Sequence, residues 1–364
     1  MRAAVLTEVG KPLEILDVQV DKPGPREVLI RTVASGICHS DLHFQEGKYP
    51  CACPTVLGHE ASGVVEAVGS EVVYVAPGDH VVTCVSMACG SCRQCLRGKS
   101  HLCAHEGLLR RPDQKPRLSH GGKPVHQYFE LSCYAEQMLV HEKAVVKITK
   151  DIPLEKAALL GCSVVTGVGA AQNTAKVGPG DTVAVVGCGG IGLNAIQGAR
   201  LAGAERIIAV DRIREKLALA VEFGATDTVD ASAGDPVAQV VEMTSGGVDH
   251  AIEAVGLKQT AEQCFRMLGV GGTATVIGMI PLGTHIELHA VELLSERRIQ
   301  GSSMGSTCFR IDMPTYINLY LQGRLKLDEL VSRWITLDEI NAGFDALRTG
   351  SIARSVIRMD GGVR

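Results

Sequence analysis

Residues 181–211, DTVAVVGCGGIGLNAIQGARLAGAERIIAVD, contain the pattern that decides the fold of this chain. The apolar run TVAVV is followed by a glycine-rich segment, a longer stretch of helical character and a second apolar run that ends in Asp211. Apolar runs separated by helices are typical of parallel strands that are covered on both faces. The stretch therefore predicts a strand–loop–helix–strand unit of a doubly wound α/β fold.

The loop of this unit has a GxGxxG spacing directly after a strand and at the start of a helix. Its candidate cofactor-binding residues are Gly187, Gly189, Gly190, Ile191 and Gly192. Such glycines let the backbone approach a pyrophosphate at the helix N-terminus, which is the Rossmann arrangement. Asp211 is placed to accept hydrogen bonds from ribose hydroxyls and to repel a 2′-phosphate, so we predict NAD rather than NADP. The adjacent Arg212 argues for the alternative, because a guanidinium there could hold that phosphate.

Outward from this unit the chain divides into two parts. The alternation of apolar runs and helical stretches continues to TATVIG at 273–278, whereas residues before about 144 contain short strands interrupted by Pro and Gly turns. We predict a β-rich domain at 1–163 and 306–364, and a nucleotide-binding Rossmann domain at 164–305. The charged, Pro- and Gly-rich stretch 110–124 is predicted to be an irregular surface loop.

Composition excludes several functional classes. The 364 residues are 46% hydrophobic and 21% charged, with a formal net charge of -4 and no dense basic block, so we expect no nucleic-acid partner. No apolar run reaches the ~20 residues of a membrane span and the start lacks a signal-peptide layout, so we expect no membrane association and a cytoplasmic location. Thirteen cysteines in such a chain favour metal ligands over disulfides.

Four cysteines lie within one segment, CGSCRQCLRGKSHLC. They are Cys89, Cys92, Cys95 and Cys103, with two, two and seven residues between neighbours. Four thiolates around one ion leave no open position, which describes a structural zinc site. Two disulfides and an iron–sulfur cluster are the alternatives. The predicted compartment disfavours the disulfides, and the lack of further clustered cysteines disfavours the cluster.

A second set of metal-ligand residue types comes from three distant segments. Cys38 lies in SGICHSDLH, His59 in GHEASGVVEAVG and Cys162 in LLGCSVVTG. Three protein ligands that leave a fourth tetrahedral position open describe a catalytic zinc. Taken singly, each of these residues is more often a buried core residue.

The chain resembles the zinc-containing medium-chain alcohol dehydrogenases over nearly its whole length. The matching signature positions are Gly58, His59, Glu60, Gly63, Gly69 and Val72. The resemblance implies a GroES-like fold for the β-rich domain and two zinc ions per subunit. Cys38, His59 and Cys162 would hold the catalytic ion, and the four clustered cysteines the structural one.

The resemblance also implies roles around the catalytic ion. A zinc Lewis acid lowers the pKa of an alcohol, and Ser40 and His43 would relay the released proton. Asp41 would accept a hydrogen bond from His59, and Glu60 would lie beneath the metal. Positions that line the substrate pocket in relatives are occupied here by Ser40, Tyr49, Val85, Tyr128, Phe129 and Met279.

Further cofactor contacts follow from the same resemblance. Lys216 matches a position that touches the adenosine ribose, and Arg354 one that touches the pyrophosphate. His39 stands where many relatives carry an arginine that pairs with the pyrophosphate. Thr166 is assigned to the cofactor site as well.

The predicted function is reversible hydride transfer between NAD and a primary alcohol, aliphatic or aromatic, to give the aldehyde. The alternatives are a thiol-dependent formaldehyde dehydrogenase and a nicotinoprotein, which never releases its cofactor. Gly47 and Tyr49 disfavour the first, because that branch often carries acidic groups there. We expect a homodimer joined through a last strand near 285–288, with a tetramer as the alternative.

Overall fold

The computed structural model describes residues 1–104, 107–111, 113–350 and 353–359, and its chain divides into two compact units. The first comprises Met1–Cys162 and Cys308–Arg364, the second Ser163–Thr307. These limits differ by one or two residues from the predicted domain limits, because a helix of the second unit begins at Ser163. The predicted segment 306–364 includes 351–352 and 360–364, which lie outside the described residues.

The strands follow one another in three groups along the chain. Those of the first unit are β1 (Arg2–Leu6), β2 (Glu14–Asp17), β3 (Gln19–Val20), β4 (Glu27–Gly36), β5 (Thr55–Val56), β6 (Ala61–Val68), β7 (His80–Thr83), β8 (Leu118–His120), β9 (Lys123–Gln127), β10 (Gln137–His141) and β11 (Val145–Lys147). Those of the second unit are β12 (Thr182–Val186), β13 (Arg206–Asp211), β14 (Asp227–Asp230), β15 (Val248–Glu253), β16 (Leu268–Val276) and β17 (Arg298–Gly301). The chain returns to the first unit with β18 (Arg333–Ile335) and β19 (Ser355–Arg358).

Within the described residues, each unit contains five α-helices. Those of the first unit are α1 (His39–Gln45), α2 (Arg93–Leu96), α3 (Leu154–Ala157), α9 (Phe309–Leu321) and α10 (Ile340–Thr349). Those of the second unit are α4 (Ser163–Gly169), α5 (Gly190–Ala202), α6 (Arg214–Phe223), α7 (Pro236–Met243) and α8 (Lys258–Arg266). Short 3₁₀ helices occupy Ser100–Leu102, Glu142–Ala144, Ala158–Gly161, Ala290–Ser295, Met304–Ser306, Asp328–Leu330 and Leu337–Glu339, and a π-helix occupies Ala170–Ala175. Among the described residues no single helix is long and apolar enough to cross a membrane, although Leu154–Gly161 and Ser163–Ala175 together would meet that length and composition.

The first unit is built on two sheets. One has the order β2-β1-β5-β9-β8-β3, and the other β11-β7-β6-β4-β19-β18, with β10 pairing beside β4. The antiparallel pairing of β19 with β4 places the C-terminal segment on the sheet of the N-terminal part. The prediction of an irregular loop at 110–124 is wrong for its second half, because β8 and β9 pair there and bury Leu118 and Val125. Residue 112 of that stretch lies outside the described residues.

The second unit is a parallel six-stranded sheet in the order β14-β13-β12-β15-β16-β17, which confirms the predicted doubly wound fold. Its strands read as apolar because both faces are covered. Its core contains Ala184, Ile208, Ala251 and Phe265, all fully buried. The prediction of a last strand at 285–288 is wrong, because those residues are mostly exposed and the edge strand is β17, whose Ile299 pairs with Ala274 and packs on the core.

Candidate metal centres and nucleotide loop

The four clustered cysteines form an outer group of candidate metal ligands at the surface of the first unit. Their sulfurs all lie within 4.8 Å of one another, and all four side chains are partly exposed. The Cys89 and Cys95 sulfurs are 3.9 Å apart, as are those of Cys92 and Cys103. Four sulfurs at ~2.3 Å from one tetrahedral ion stand about 3.8 Å apart, whereas a disulfide needs ~2.05 Å. All thirteen cysteines are free, so the geometry fits an S₄ zinc site and disfavours two disulfides.

Backbone amides donate hydrogen bonds to the sulfurs of this group. The amides of Cys89 and Cys92 donate to the sulfurs of Cys103 and Cys89, both at 3.3 Å. Hydrogen bonds from the Ser91 and Cys92 backbone lower the pKa of Cys89 to about 6. Backbone donors favour the thiolate form, which is the form that binds zinc.

Cys38, His59 and Cys162 form an inner group within the first unit. Their ligand atoms lie within 4.8 Å of one another, and each residue is at most 5% exposed. Two thiols and one imidazole suit a zinc ion, and three ligands leave one tetrahedral position without a protein group. The structure thus brings together three residues from distant segments.

Each ligand of the inner group stands at the junction of two elements. Cys38 follows β4 and is the N-cap of α1, His59 precedes β6, and Cys162 follows the 3₁₀ helix Ala158–Gly161. Gly36 makes room for the neighbouring Glu60, since a Cβ there would lie 2.3 Å from the Glu60 Oε2 atom. The buried Glu60 carboxylate is therefore held against the end of β4.

Asp41 connects Cys38 and His59 through hydrogen bonds. Its Oδ1 atom is 2.9 Å from Nδ1 of His59, and its Oδ2 atom accepts from the Cys38 amide at 3.1 Å and from the Tyr134 hydroxyl at 2.6 Å. Burial opposes charge on His59, but the Asp41 carboxylate outweighs it and raises the pKa of His59 well above its usual value. With Nδ1 bonded to Asp41, the Nε2 atom of His59 is the one left for a metal.

Arg354 lies beside the inner group instead of at the surface. It is 3% exposed, donates from Nη1 to the Ile37 carbonyl at 3.0 Å, and has its Nε atom 3.6 Å from Oε2 of Glu60. A hydrogen bond from Cys162 lowers the pKa of Cys38 well below its usual range, and the positive charge of Arg354 adds to this effect. The predicted contact of Arg354 with the pyrophosphate stays a prediction.

Ser40 and His43 lie on α1 next to the inner group. The Ser40 hydroxyl is 3.3 Å from Nε2 of His59. His43 is 8% exposed, and its Nδ1 atom makes no hydrogen bond within the described part of the chain. Burial lowers the pKa of His43 to about 4, with Lys48 and His39 adding to the shift, so the ring is neutral near pH 7. The exposed His39 packs its ring 5.5 Å from that of His43.

Aromatic rings form a wall beside His59. The Tyr128 and Phe129 ring centroids lie 5.7 and 5.9 Å from that of His59, and Phe44 contacts both of them as well as Tyr49. Phe129 has a φ of 48° in a tight turn, an uncommon conformation for an aromatic residue. Sequence reasoning missed Phe44, because no motif separates it from an ordinary core residue. Met279 belongs to the second unit, whereas the other predicted pocket positions belong to the first.

In the second unit the glycine loop joins β12 to α5. Gly187 has a φ of +94°, and a Cβ at Gly192 would lie 1.7 Å from the Gly187 carbonyl oxygen, so both positions require glycine. Gly189, the N-cap of α5, has open space where a Cβ would be. The loop thus offers a tight turn, an open approach and a close helix contact, as a pyrophosphate site needs. Gly190 and Ile191 begin the helix behind it.

Asp211 ends β13 beside this loop. Its two carboxylate oxygens accept from the amides of Cys188 at 2.8 Å and Ile213 at 3.0 Å, which fixes the orientation of the carboxylate. Arg212 is exposed and Lys216 is partly buried. Thr166 lies on α4 with its hydroxyl 3.6 Å from the Met304 sulfur.

Known proteins match both units of the chain. The family model for the alcohol dehydrogenase GroES-like domain matches residues 24–150, and that for zinc-binding dehydrogenases matches 190–322. The chain is 38% identical to alcohol dehydrogenase 1 of Trifolium repens, covering 99% of this chain and 97% of that protein. It is 40% identical to S-(hydroxymethyl)glutathione dehydrogenase of Synechocystis, covering 98% of this chain and 99% of that protein. The crystal structure of benzyl alcohol dehydrogenase from Acinetobacter calcoaceticus matches with a TM-score of 0.93 at 36% identity, covering 98% of this chain and 99% of that one.

These matches extend over almost the full length of chain and relatives alike, and they include the segments that carry the cysteines and the glycine loop. The chain therefore belongs to the zinc-containing medium-chain alcohol dehydrogenase family, and it is an oxidoreductase whose cofactors are zinc and NAD.

Proposed function

We propose that the protein interconverts a primary alcohol and its aldehyde with NAD at the inner group. Cys38, His59 and Cys162 are the proposed ligands of the catalytic zinc, and the outer cysteines those of a structural zinc. The observation that carries this proposal is a buried set of three residues with metal-ligand atoms close together, beside a wall of aromatic rings. A zinc ion in this set supplies a Lewis acid for the alcohol oxygen, and NAD accepts the hydride.

The chain's own residues provide an exit for the alcohol proton. The Ser40 hydroxyl lies next to His59, so it can accept a proton from the substrate hydroxyl and pass on its own. His43 is neutral near pH 7 and has a buried nitrogen without a partner among the described residues. We assign it the role of proton acceptor at the far end of this relay.

The substrate is proposed to be an alcohol with an aromatic or unbranched apolar group. Tyr128 and Phe129 present rings beside His59, and Phe44 packs against both of them. Stacked or edge-to-face contacts with a further ring are favourable by about 0.5–1.5 kcal/mol per pair. The relative that acts on S-(hydroxymethyl)glutathione makes the thiol adduct of formaldehyde the second candidate. Gly47 and Tyr49 weigh against it, since neither offers the charge that a thiol tripeptide would need.

For the cofactor we propose that Asp211 binds the adenosine ribose, since two backbone amides hold its carboxylate in place and leave other lone pairs available. Arg212, which is exposed, and Lys216 are proposed to flank that ribose. We propose a homodimer whose sheets meet along β17, the edge strand of the second unit. Light scattering on the purified protein tests this state. The cytoplasmic location stays a prediction from composition.

Reduced-nicotinamide absorbance tests the proposed reaction. Purified protein with NAD is given benzyl alcohol, short and long primary alcohols, secondary alcohols, and formaldehyde with glutathione. Turnover of primary or benzylic alcohols that is lost after a chelator removes zinc is the expected result. Activity with the glutathione adduct alone would overturn the substrate proposal. Turnover only with an artificial electron acceptor, with NAD retained through dialysis, would make the protein a nicotinoprotein.

A further inference from the structure

The hydroxyl of Tyr134 is buried behind the inner group and points at Asp41. Tyr134 is fully buried, and its hydroxyl donates to Oδ2 of Asp41 at 2.6 Å, a short hydrogen bond to a carboxylate. The other oxygen of the same carboxylate bonds to Nδ1 of His59 at 2.9 Å. A continuous chain of two hydrogen bonds thus leads from Tyr134 to the imidazole.

The fold fixes the ring of Tyr134 from several sides. Its amide donates to the Leu57 carbonyl at 3.1 Å, and its carbonyl accepts from the Ala4 amide at 2.8 Å. Gly58 lies flat against the ring, since a Cβ at that glycine would be 2.6 Å from the Tyr134 Cδ1 atom. The Phe344 ring packs edge-on at 6.1 Å between centroids. Tyr134 therefore offers its hydroxyl from a rigid position.

We propose that Tyr134 is a positioning residue for the inner metal centre, acting through Asp41 on the orientation of His59. This inference rests on the proposed role of His59 as a zinc ligand. The Asp41 carboxylate can rotate about its Cβ–Cγ bond unless both oxygens are held. Without the Tyr134 hydroxyl, Oδ2 would keep only the hydrogen bond from the Cys38 amide, at the longer distance of 3.1 Å. Loss of the tyrosine oxygen therefore removes the shorter of the two hydrogen bonds to Oδ2, which loosens the orientation of the carboxylate and, with it, that of the imidazole ring.

The neighbouring Tyr128 supplies a matched comparison. It is also buried, and its ring centroid lies 5.7 Å from that of His59, yet Asp41 accepts no hydrogen bond from it within the described residues. Replacement of either tyrosine by phenylalanine removes one phenolic oxygen and leaves the ring in place. Only Tyr134→Phe interrupts the chain to His59.

Zinc release provides a readout that is independent of catalysis. Excess EDTA is added to the zinc-loaded protein, and the zinc remaining on the protein is assayed over time with 4-(2-pyridylazo)resorcinol after denaturation. Cys38→Ala identifies the release phase that belongs to the inner group, because it removes that phase alone. Groups behind a metal ligand typically contribute 10- to 100-fold to metal affinity, so Tyr134→Phe should speed inner release about 10-fold or more. The outer phase should stay unchanged, and Tyr128→Phe should release both ions as the wild type does.

Three results would overturn the proposal. They are an inner release rate for Tyr134→Phe within about twofold of wild type, an equal acceleration by Tyr128→Phe, and a loss of both ions together, which would show a general structural role. A Tyr134→Phe protein that is purified with the outer ion and without the inner one would support it. A wild-type protein that holds only one zinc would refute the proposed function itself, and so the two failures are distinguishable.

Discussion

Substitution of Gly58 by alanine should destabilise the segment that carries His59. Gly58 has a φ of +91°, a left-handed conformation that costs an L-residue about 1–2 kcal/mol. The added Cβ would also lie 2.6 Å from the Tyr134 ring and 2.8 Å from the Tyr134 amide nitrogen, neither of which can move freely, and overpacking of this kind costs about 1–3 kcal/mol. We therefore expect a loss of about 2–5 kcal/mol in local opening free energy.

Native-state hydrogen exchange measures this loss where it occurs. The amides of Cys133 and Tyr134 donate to the carbonyls of Gly58 and Leu57 at 3.0 and 3.1 Å, so their exchange reports the opening of this contact. The control is Gly78→Ala, at a φ of +87° with nothing within 4 Å of the added Cβ. This variant carries only the conformational cost. Its loss of opening free energy is measured by hydrogen exchange at the amide of residue 78, which donates to the Val65 carbonyl. Equal losses in the two variants would refute the argument from the Tyr134 contact.

Three further predictions concern the site. Cys38→Ala should abolish turnover and leave the protein folded with one zinc, whereas Cys92→Ala should lower its thermal stability. Zinc analysis and calorimetry check both outcomes, and unfolding of the Cys38→Ala protein would contradict these roles. Asp211→Ala should reduce the NAD-over-NADP ratio of kcat/KM about 10-fold or more, and an unchanged ratio would assign the discrimination to Arg212. Because burial holds the pKa of His43 near 4, below its unfolded value of about 6.5, wild-type stability should fall as pH drops from about 6.5 to 4. His43→Gln should reduce that part of the fall in urea titrations at each pH; an identical pH dependence would show that His43 is not the group responsible.

Patterns that are local in the sequence could be predicted from it. Cys89 to Cys103 lie within one short segment, so their spacing alone brings four sulfurs within 4.8 Å of one another. The glycine loop is equally local, because the steric demand at Gly192 comes from a carbonyl only five residues before it. The Rossmann sheet could be predicted because both of its faces are covered and its strands are therefore apolar throughout.

Features that depend on long-range packing could not be predicted in the same way. The sequence relates Arg354 only to a pyrophosphate contact, yet its position after α10 buries it beside Glu60, nearly 300 residues away along the chain. The strand expected at 285–288 was misplaced because β17, with the sequence RIQG, buries only one side chain partly and carries no clear apolar pattern. Tyr134 has no spacing that relates it to Asp41 or His59, and only the tertiary structure joins them.

Asp41 shows why the local and the long-range parts of the site depend on each other. As the third residue of α1 it accepts from the amide of Cys38, the N-cap, so the hydrogen bond that starts the helix also fixes the position of a metal ligand. The same carboxylate holds His59, which precedes β6. The start of α1 therefore cannot shift without moving two of the three ligands. Tyr134 donates to the oxygen that caps the helix, so its hydrogen bond stabilises the helix start and the orientation of His59 at once.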